Sequence, residues 1–412
     1  MNPLETKSKS INEYFMDWKR LSPKPYDKNK ASPYTKVRQI LMNGTEFESN
    51  WFLHQFARHT ADNDVRRAIA IVRQQEQQQQ KRLAALKPTD ETILETTIGY
   101  EQLAVDLTAI LAQRETDQNN INALNFALLE DFDHLYRFAN LLKMDYGIDA
   151  ERLVGGYTEI TPGRPTIAEH RYGADNVRYS MDAKKAETFS ILVGNIITAA
   201  EQQTMNFYMN VGGFYPNDYG RKMYAEIAMI EEEHVSQYES LKDPNMSWLM
   251  CWVAHEYTEC YLYASMAEDE TDTRIRQIYA EHYEMEVAHL KLACELLKRY
   301  EKKDLAAVIP TADFPELLRF GGNKEYIRNV LANTVWLTGQ QENYVAVQDL
   351  QPNSNFELYQ SKVNATENPS HAVTTMTIKA LGEDYRFEDE PNPVSALRSR
   401  KRDNTTVARP TK

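Results

Sequence analysis

The chain has 412 residues, enough for two domains of ordinary size with extensions, and its hydrophobic fraction of 42% excludes disorder throughout. A net charge of −13 argues against nucleic-acid binding, which needs Lys and Arg in excess. The cysteines Cys251, Cys260 and Cys294 form no Cys-x-x-Cys pair, the start lacks a signal-type segment, and no run approaches the roughly 20 apolar residues of a membrane helix. A cytoplasmic protein that engages neither nucleic acid nor membrane is expected.

Residues 1–33 read as a polar, extended arm with Pro3, Pro23, Pro25 and Pro33, and residues 1–44 as the segment before the first bundle. Helical periodicity starts at about Thr45. Breaks at Asp62-Asn63, Lys87-Pro88-Thr89-Asp90 and Thr116-Asp117 each offer N-cap residues, so helices are predicted over 45–61, 64–86, 91–115 and 118–145, closed by Gly147. The connecting segment, 146–183, carries Gly155-Gly156, Pro162, Gly163, Pro165 and Gly173, and is expected to run across the surface. Helices over 184–211, 217–241, 246–268 and 272–301 follow. Within the extension 302–412, a short element ends at 317–322 and a further helix is predicted over 325–337. The basic stretch 398–402 reads as a solvated, flexible end.

The helices carry a repeat. Glu231 and His234 form a Glu-x-x-His pair, Glu286 and His289 form another, and Glu201 and Glu256 join them. Subtracting 155 from each number gives Glu46, Glu76, Gln79, Glu101, Asp131 and His134, five of them still carboxylate or imidazole. The same offset pairs Phe52 with Phe207, Ala70 with Ala225 and Leu142 with Leu297. The fold class is therefore all-α, with two tandem four-helix bundles over 45–145 and 184–301.

Residues three apart share a helix face, so each Glu-x-x-His aims a carboxylate and an imidazole at one point. Glu201 and Glu231 are 30 apart, as are Glu256 and Glu286. Up one helix, through a short turn and down the next returns the chain to one height, which brings four carboxylates and two imidazoles together. Burying that many carboxylates without cations is prohibitive, and oxygen-rich ligands with two imidazoles suit iron or manganese. The second bundle is thus expected to hold a metal pair on Glu201, Glu231, His234, Glu256, Glu286 and His289. The first is expected to hold a weaker site on Glu46, Glu76, Glu101, Asp131 and His134. There Gln79 replaces an imidazole, Asp131 is shorter, and Glu48 rivals Glu46. His54, His59, His170, His255 and His282 have no partner at ligand spacing and read as outer-sphere or surface residues.

The segments Glu231-Glu232-Glu233-His234, Glu256-Tyr257-Thr258-Glu259-Cys260-Tyr261 and Glu286-Val287-Ala288-His289 resemble the ferritin-like superfamily, and within it the rubrerythrin family. The resemblance covers 184–301 well and 45–145 more weakly. It implies two ferritin-like bundles acting as a pseudo-dimer within one chain, with two iron ions in the second bundle and manganese as the alternative. It also implies that Glu256 bridges the metals, that Glu259 is an extra ligand exchanging with His234 as the redox state changes, and that Tyr208 stands beside them. Glu259 and Tyr208 are the catalytic candidates. The chain departs from the family in lacking a rubredoxin-type module, so an external electron donor is implied. Ala104, where the second repeat has Glu259, leaves the first repeat without the exchanging ligand. Three functions stay open: a di-iron enzyme reducing peroxide or activating dioxygen, an oxygen-dependent oxidase of an organic substrate, and a non-catalytic metal-binding or scaffold protein.

Overall fold

The computed structural model describes residues 1–161, 163, 170–367, 369–382 and 407–408. Among these the regular elements are helices, apart from a two-residue antiparallel pairing of Val345–Ala346 with Val407–Ala408 and an isolated bridge between Leu337 and Asn343. The helices are α1 (Pro33–His59), α2 (Asn63–Ala84), α3 (Ile93–Arg114), α4 (Gln118–Tyr146), the single turn α5 (Ala150–Leu153), α6 (Thr188–Val211), α7 (Asp218–Glu239), α8 (Trp248–Asp269) and α9 (Thr273–Glu301). The tail adds α10 (Lys324–Thr334), α11 (Asn355–Val363) and α12 (Pro369–Leu381). Among the described residues no helix is long and apolar enough to cross a membrane. Pro162, Pro165 and the basic stretch 398–402 lie outside the described residues.

The eight long helices fall where the breaks in the sequence put them, with one correction. α1 starts at Pro33, so the expected arm 1–44 ends early. Proline at the first helical position gives up an amide that would be unpaired there anyway. Val37, Ile40, Leu41 and Met42 are buried on that extra length. Gly44, which interrupts the pattern, lets α1 approach α6: a Cβ there would lie 3.2 Å from the Ala199 carbonyl and 3.1 Å from Gln203 Cδ. The short element expected to end at 317–322 is absent. Leu318 is instead a buried, irregular residue whose amide donates to Ser265 Oγ.

The repeat extends to the helix ends. Asp62, Thr92 and Asp117 accept hydrogen bonds from first-turn amides of α2, α3 and α4. Asn217, Ser247 and Asp272, each 155 residues later, do the same for α7, α8 and α9. Gly147 and Lys302, also 155 apart, close α4 and α9 in the left-handed conformation.

The chain divides into two compact units, and they do not follow the sequential division 45–145 and 184–301 expected from the repeat. The first unit comprises 1–90, 180–203 and 241–320, hence α1, α2, the start of α6, α8 and α9. The second comprises 91–179, 204–240 and 321–412, hence α3, α4, α5, the end of α6, α7 and the tail helices. Each unit takes helices from both repeats. In the first, α1 packs on α2 and α8, and α9 on α8 and α2; in the second, α4 packs on α3 and α7. The connecting segment departs from expectation in part. Thr158, His170 and Arg171 are buried in the second unit, whereas Tyr157, Tyr172, Val177 and Tyr179 are exposed, so its described residues run over the surface but are anchored at these points.

Candidate metal centres

In the first unit, four helices aim acids at one point. Glu46 comes from α1, Glu76 from α2, Glu256 and Glu259 from α8, and Glu286 with His289 from α9, each with 0% exposure. Ligand atoms of Glu76, Glu256, Glu286 and His289 lie within 4.8 Å of one another, and so do those of Glu46, Glu76 and Glu259. Glu76 belongs to both sets. His289 Nδ1 faces Glu76 and Glu286, both at 3.0 Å, and Glu256 at 3.8 Å. Its Nε2 lies 2.8 Å from Gln75 Oε1, a partner that fixes the ring and leaves Nδ1 aimed at the acids. Gln79 donates to Glu286, Trp252 to Glu256 and Tyr263 to Glu46, and His282 Nδ1 lies 3.0 Å from the Tyr263 hydroxyl.

These acids are poorly compensated. Both Glu259 oxygens and Glu76 Oε2 are buried without a hydrogen-bond partner. Burial, then the neighbouring Glu76 and Glu286, hold Glu46 and Glu259 well above the usual carboxylate range, and burial with Glu76 does the same to Glu256. Burial pulls the His289 imidazole down, but Glu286 and Glu76 outweigh it and hold its pKa well above the ordinary value. Protons or cations must fill this cluster.

The second unit builds a different centre. Glu101 comes from α3, Asp131 and His134 from α4, and Glu231 and His234 from α7, all with 0% exposure. Ligand atoms of Glu101, His134 and Glu231 lie within 4.8 Å of one another, as do those of Asp131, Glu231 and His234. His134 Nδ1 is 3.0 Å from Glu231; His234 Nδ1 is 3.1 Å from Glu231 and 3.3 Å from Asp131. Burial raises Glu231, but the two imidazoles outweigh it and bring it down to about 2. Tyr208, on the last turns of α6, donates to Glu101 at 2.5 Å, and burial followed by Glu101 holds its phenol well above the ordinary range.

Several expectations are corrected here. The full ligand set is not assembled within 184–301, nor the degenerate one within 45–145. Glu256, Glu259, Glu286 and His289 join Glu46 and Glu76 in the first unit, whereas Glu231 and His234 join Glu101, Asp131 and His134 in the second. Glu259 and His234, implied as exchanging ligands of one site, therefore belong to separate clusters. Glu201, expected as a ligand alongside Glu231 and His234, is buried on α6. Glu48 is not the rival of Glu46 that its position suggested, because its carboxylate accepts from His255 and lies 4.0 Å from Lys242.

Outer partners escaped the sequence reading. Glu130 lies 2.6 Å from His234 Nε2 and accepts from Arg171, whose Nε is 3.1 Å from Glu233. Gln75 and Glu130 each immediately precede a clustered acid on their helix, Glu76 and Asp131, and that adjacency was the available signal. Arg171 sits in an aperiodic stretch that gives none. Comparison with family models, curated proteins and solved structures finds no match.

Proposed function

We propose that both clusters bind metal pairs, iron foremost with manganese as the alternative, and that the protein is a ferritin-like, rubrerythrin-related oxidoreductase acting on dioxygen or peroxide. The carrying observation is the first-unit cluster, in which five fully buried carboxylates and one imidazole form two ligand sets sharing Glu76 while Glu259 keeps both oxygens unpartnered. A bound iron pair supplies the two electrons that reduction of a peroxide or activation of dioxygen requires. The chain's own residues hold and orient. Glu76 spans the two ligand sets, Gln75 and Glu130 fix His289 and His234, and Tyr263 and Tyr208 donate hydrogen bonds to Glu46 and Glu101. Because Glu259 and His234 stand in separate clusters, the ligand-exchange argument for peroxide does not carry over. Dioxygen is as well supported.

A second reading, oxidation of a small organic molecule, is favoured by a cavity of about 120 Å³ in the first unit. It is lined by Phe52, Met181, Ile191, Met246, Cys251 and His255. His255 adjoins Glu256 on α8, and a space of this order holds a benzene-sized group. The test is anaerobic ferrous loading of the full chain followed by stopped-flow mixing with dioxygen and with peroxide. Oxidation within seconds by either supports the oxidoreductase and identifies its oxidant. Consumption of an added organic substrate selects the second reading. Metal retained but inert to both oxidants leaves a metal-binding scaffold.

A further inference from the structure

We propose that the two centres are chemically unequal, the first-unit centre selecting trivalent ions and the second-unit centre divalent ions. The inference rests on the metal-binding reading above and deepens it. Within the first unit the donors are five carboxylates, Glu46, Glu76, Glu256, Glu259 and Glu286, with one imidazole, His289. Within the second they are three carboxylates, Glu101, Asp131 and Glu231, with two imidazoles, His134 and His234. One more carboxylate would still leave the second centre less anionic and richer in imidazole.

The repeat offset shows that the difference is built at particular positions. Gln79 stands where the second centre has His234 (79 + 155), and its amide donates to Glu286. Glu259 stands where the second centre has Ala104 (104 + 155), and both of its oxygens are buried without partners. One substitution subtracts a neutral nitrogen donor from the first centre and the other adds an anionic oxygen donor. Both act in the same direction. Each additional negative charge in contact with the ion stabilises a 3+ ion more than a 2+ ion, and hard oxygen donors favour the harder ion. In the second unit the outer sphere acts the opposite way. Glu130, beside His234 Nε2, is itself bound by Arg171, which draws off the charge that would make His234 a more anionic donor.

Redox-inert ions test this without reference to turnover. The metal-free full chain is offered Ga³⁺, as its citrate complex, together with Zn²⁺, desalted, and examined by X-ray absorption at each edge. The proposal expects both ions to be retained. The gallium edge should show an oxygen shell with weak imidazole scattering and the zinc edge strong imidazole scattering. Glu259→Met should lower gallium retention by about 10–100-fold while zinc is kept, as loss of a site partner typically does. The converse variant Ala104→Glu, read in the other unit, should raise gallium retention at zinc's expense. Equal imidazole scattering at the two edges, or loss of both ions together in Glu259→Met, overturns the inequality and leaves the metal reading standing. Failure of the unaltered chain to retain either ion overturns the metal reading itself.

Discussion

Glu259 carries a cost in stability that a bound cation would offset. It is a fully buried carboxylate with both oxygens unpartnered, held well above the usual range by burial and by Glu76 and Glu286. An apolar residue of similar volume removes that penalty, and exchanging buried charge for packing stabilises by about 1–4 kcal/mol in comparable cases. Glu259→Met should therefore raise the stability of the metal-free protein in urea denaturation and reduce the further gain on adding metal. A loss of stability in the metal-free form would mean that this carboxylate is compensated by a partner other than metal. Local spacing in the sequence already marked most such residues. Glu-x-x-His pairs, a constant offset and a common height along the helices singled out the acids and imidazoles that gather in the two clusters. Arg171 was not legible, because it reaches Glu130 from a segment with no period and only the folded chain brings them together.

At the scale of elements, helix ends were the best-determined feature, since caps are local chemistry. Asp62, Asp117 and Asp272 lie at the expected breaks and cap their helices, while Thr92, Asn217 and Ser247 cap one to two residues beyond the breaks read from the sequence. The pairing of helix hairpins was not legible. A four-helix unit closed within one repeat and one closed by exchanging hairpins bury the same faces, and neither periodicity nor spacing distinguishes them. The C-caps carry a test of their own. Gly147 adopts φ 66°, where glycine suffers no steric clash, but Lys302 adopts φ 59° at the equivalent position. An L-residue there costs about 1–2 kcal/mol, so Lys302→Gly should stabilise the chain by up to about 1 kcal/mol after its greater unfolded-state entropy is deducted. A decrease in the urea midpoint would show that the Lys302 side chain, which donates to the Arg299 carbonyl, outweighs the backbone strain.

For the whole molecule, the composition of the units makes a prediction that the sequential reading does not share. Each unit draws helices from both halves of the chain, so a break in the exposed turn at Lys184-Lys185 should leave neither half able to build a metal cluster alone. Co-expressed halves should restore metal uptake, measured after gel filtration. Half-chains that bind metal independently would return the bundles to 45–145 and 184–301.

The pH dependence follows from the same clusters. Glu46, Glu256 and Glu259 titrate well above their unfolded value of 4.5, and His289 well above 6.5. Groups raised on folding contribute stability that is complete below the unfolded pKa and is lost as pH climbs through the folded one. The metal-free chain should therefore show a Tm that falls between about pH 5 and 8, and bound metal, by replacing those protons, should flatten the profile. Glu231 has the opposite sign. Held to about 2, it contributes stability above pH 4.5 that is lost as the pH falls toward 2. A metal-free Tm that rose steadily from pH 5 to 8 would contradict the burial of uncompensated acids.

Whether the buried acids and imidazoles hold metal at two separate centres is decided by metal content per chain. Iron would be measured after anaerobic loading and desalting, in the unaltered protein and in Glu76→Ala and Glu231→Ala. Two metal pairs are expected in the unaltered chain and one pair lost in each variant, while the other centre keeps its own. Uptake that neither substitution changes, or no retained metal at all, would contradict this expectation.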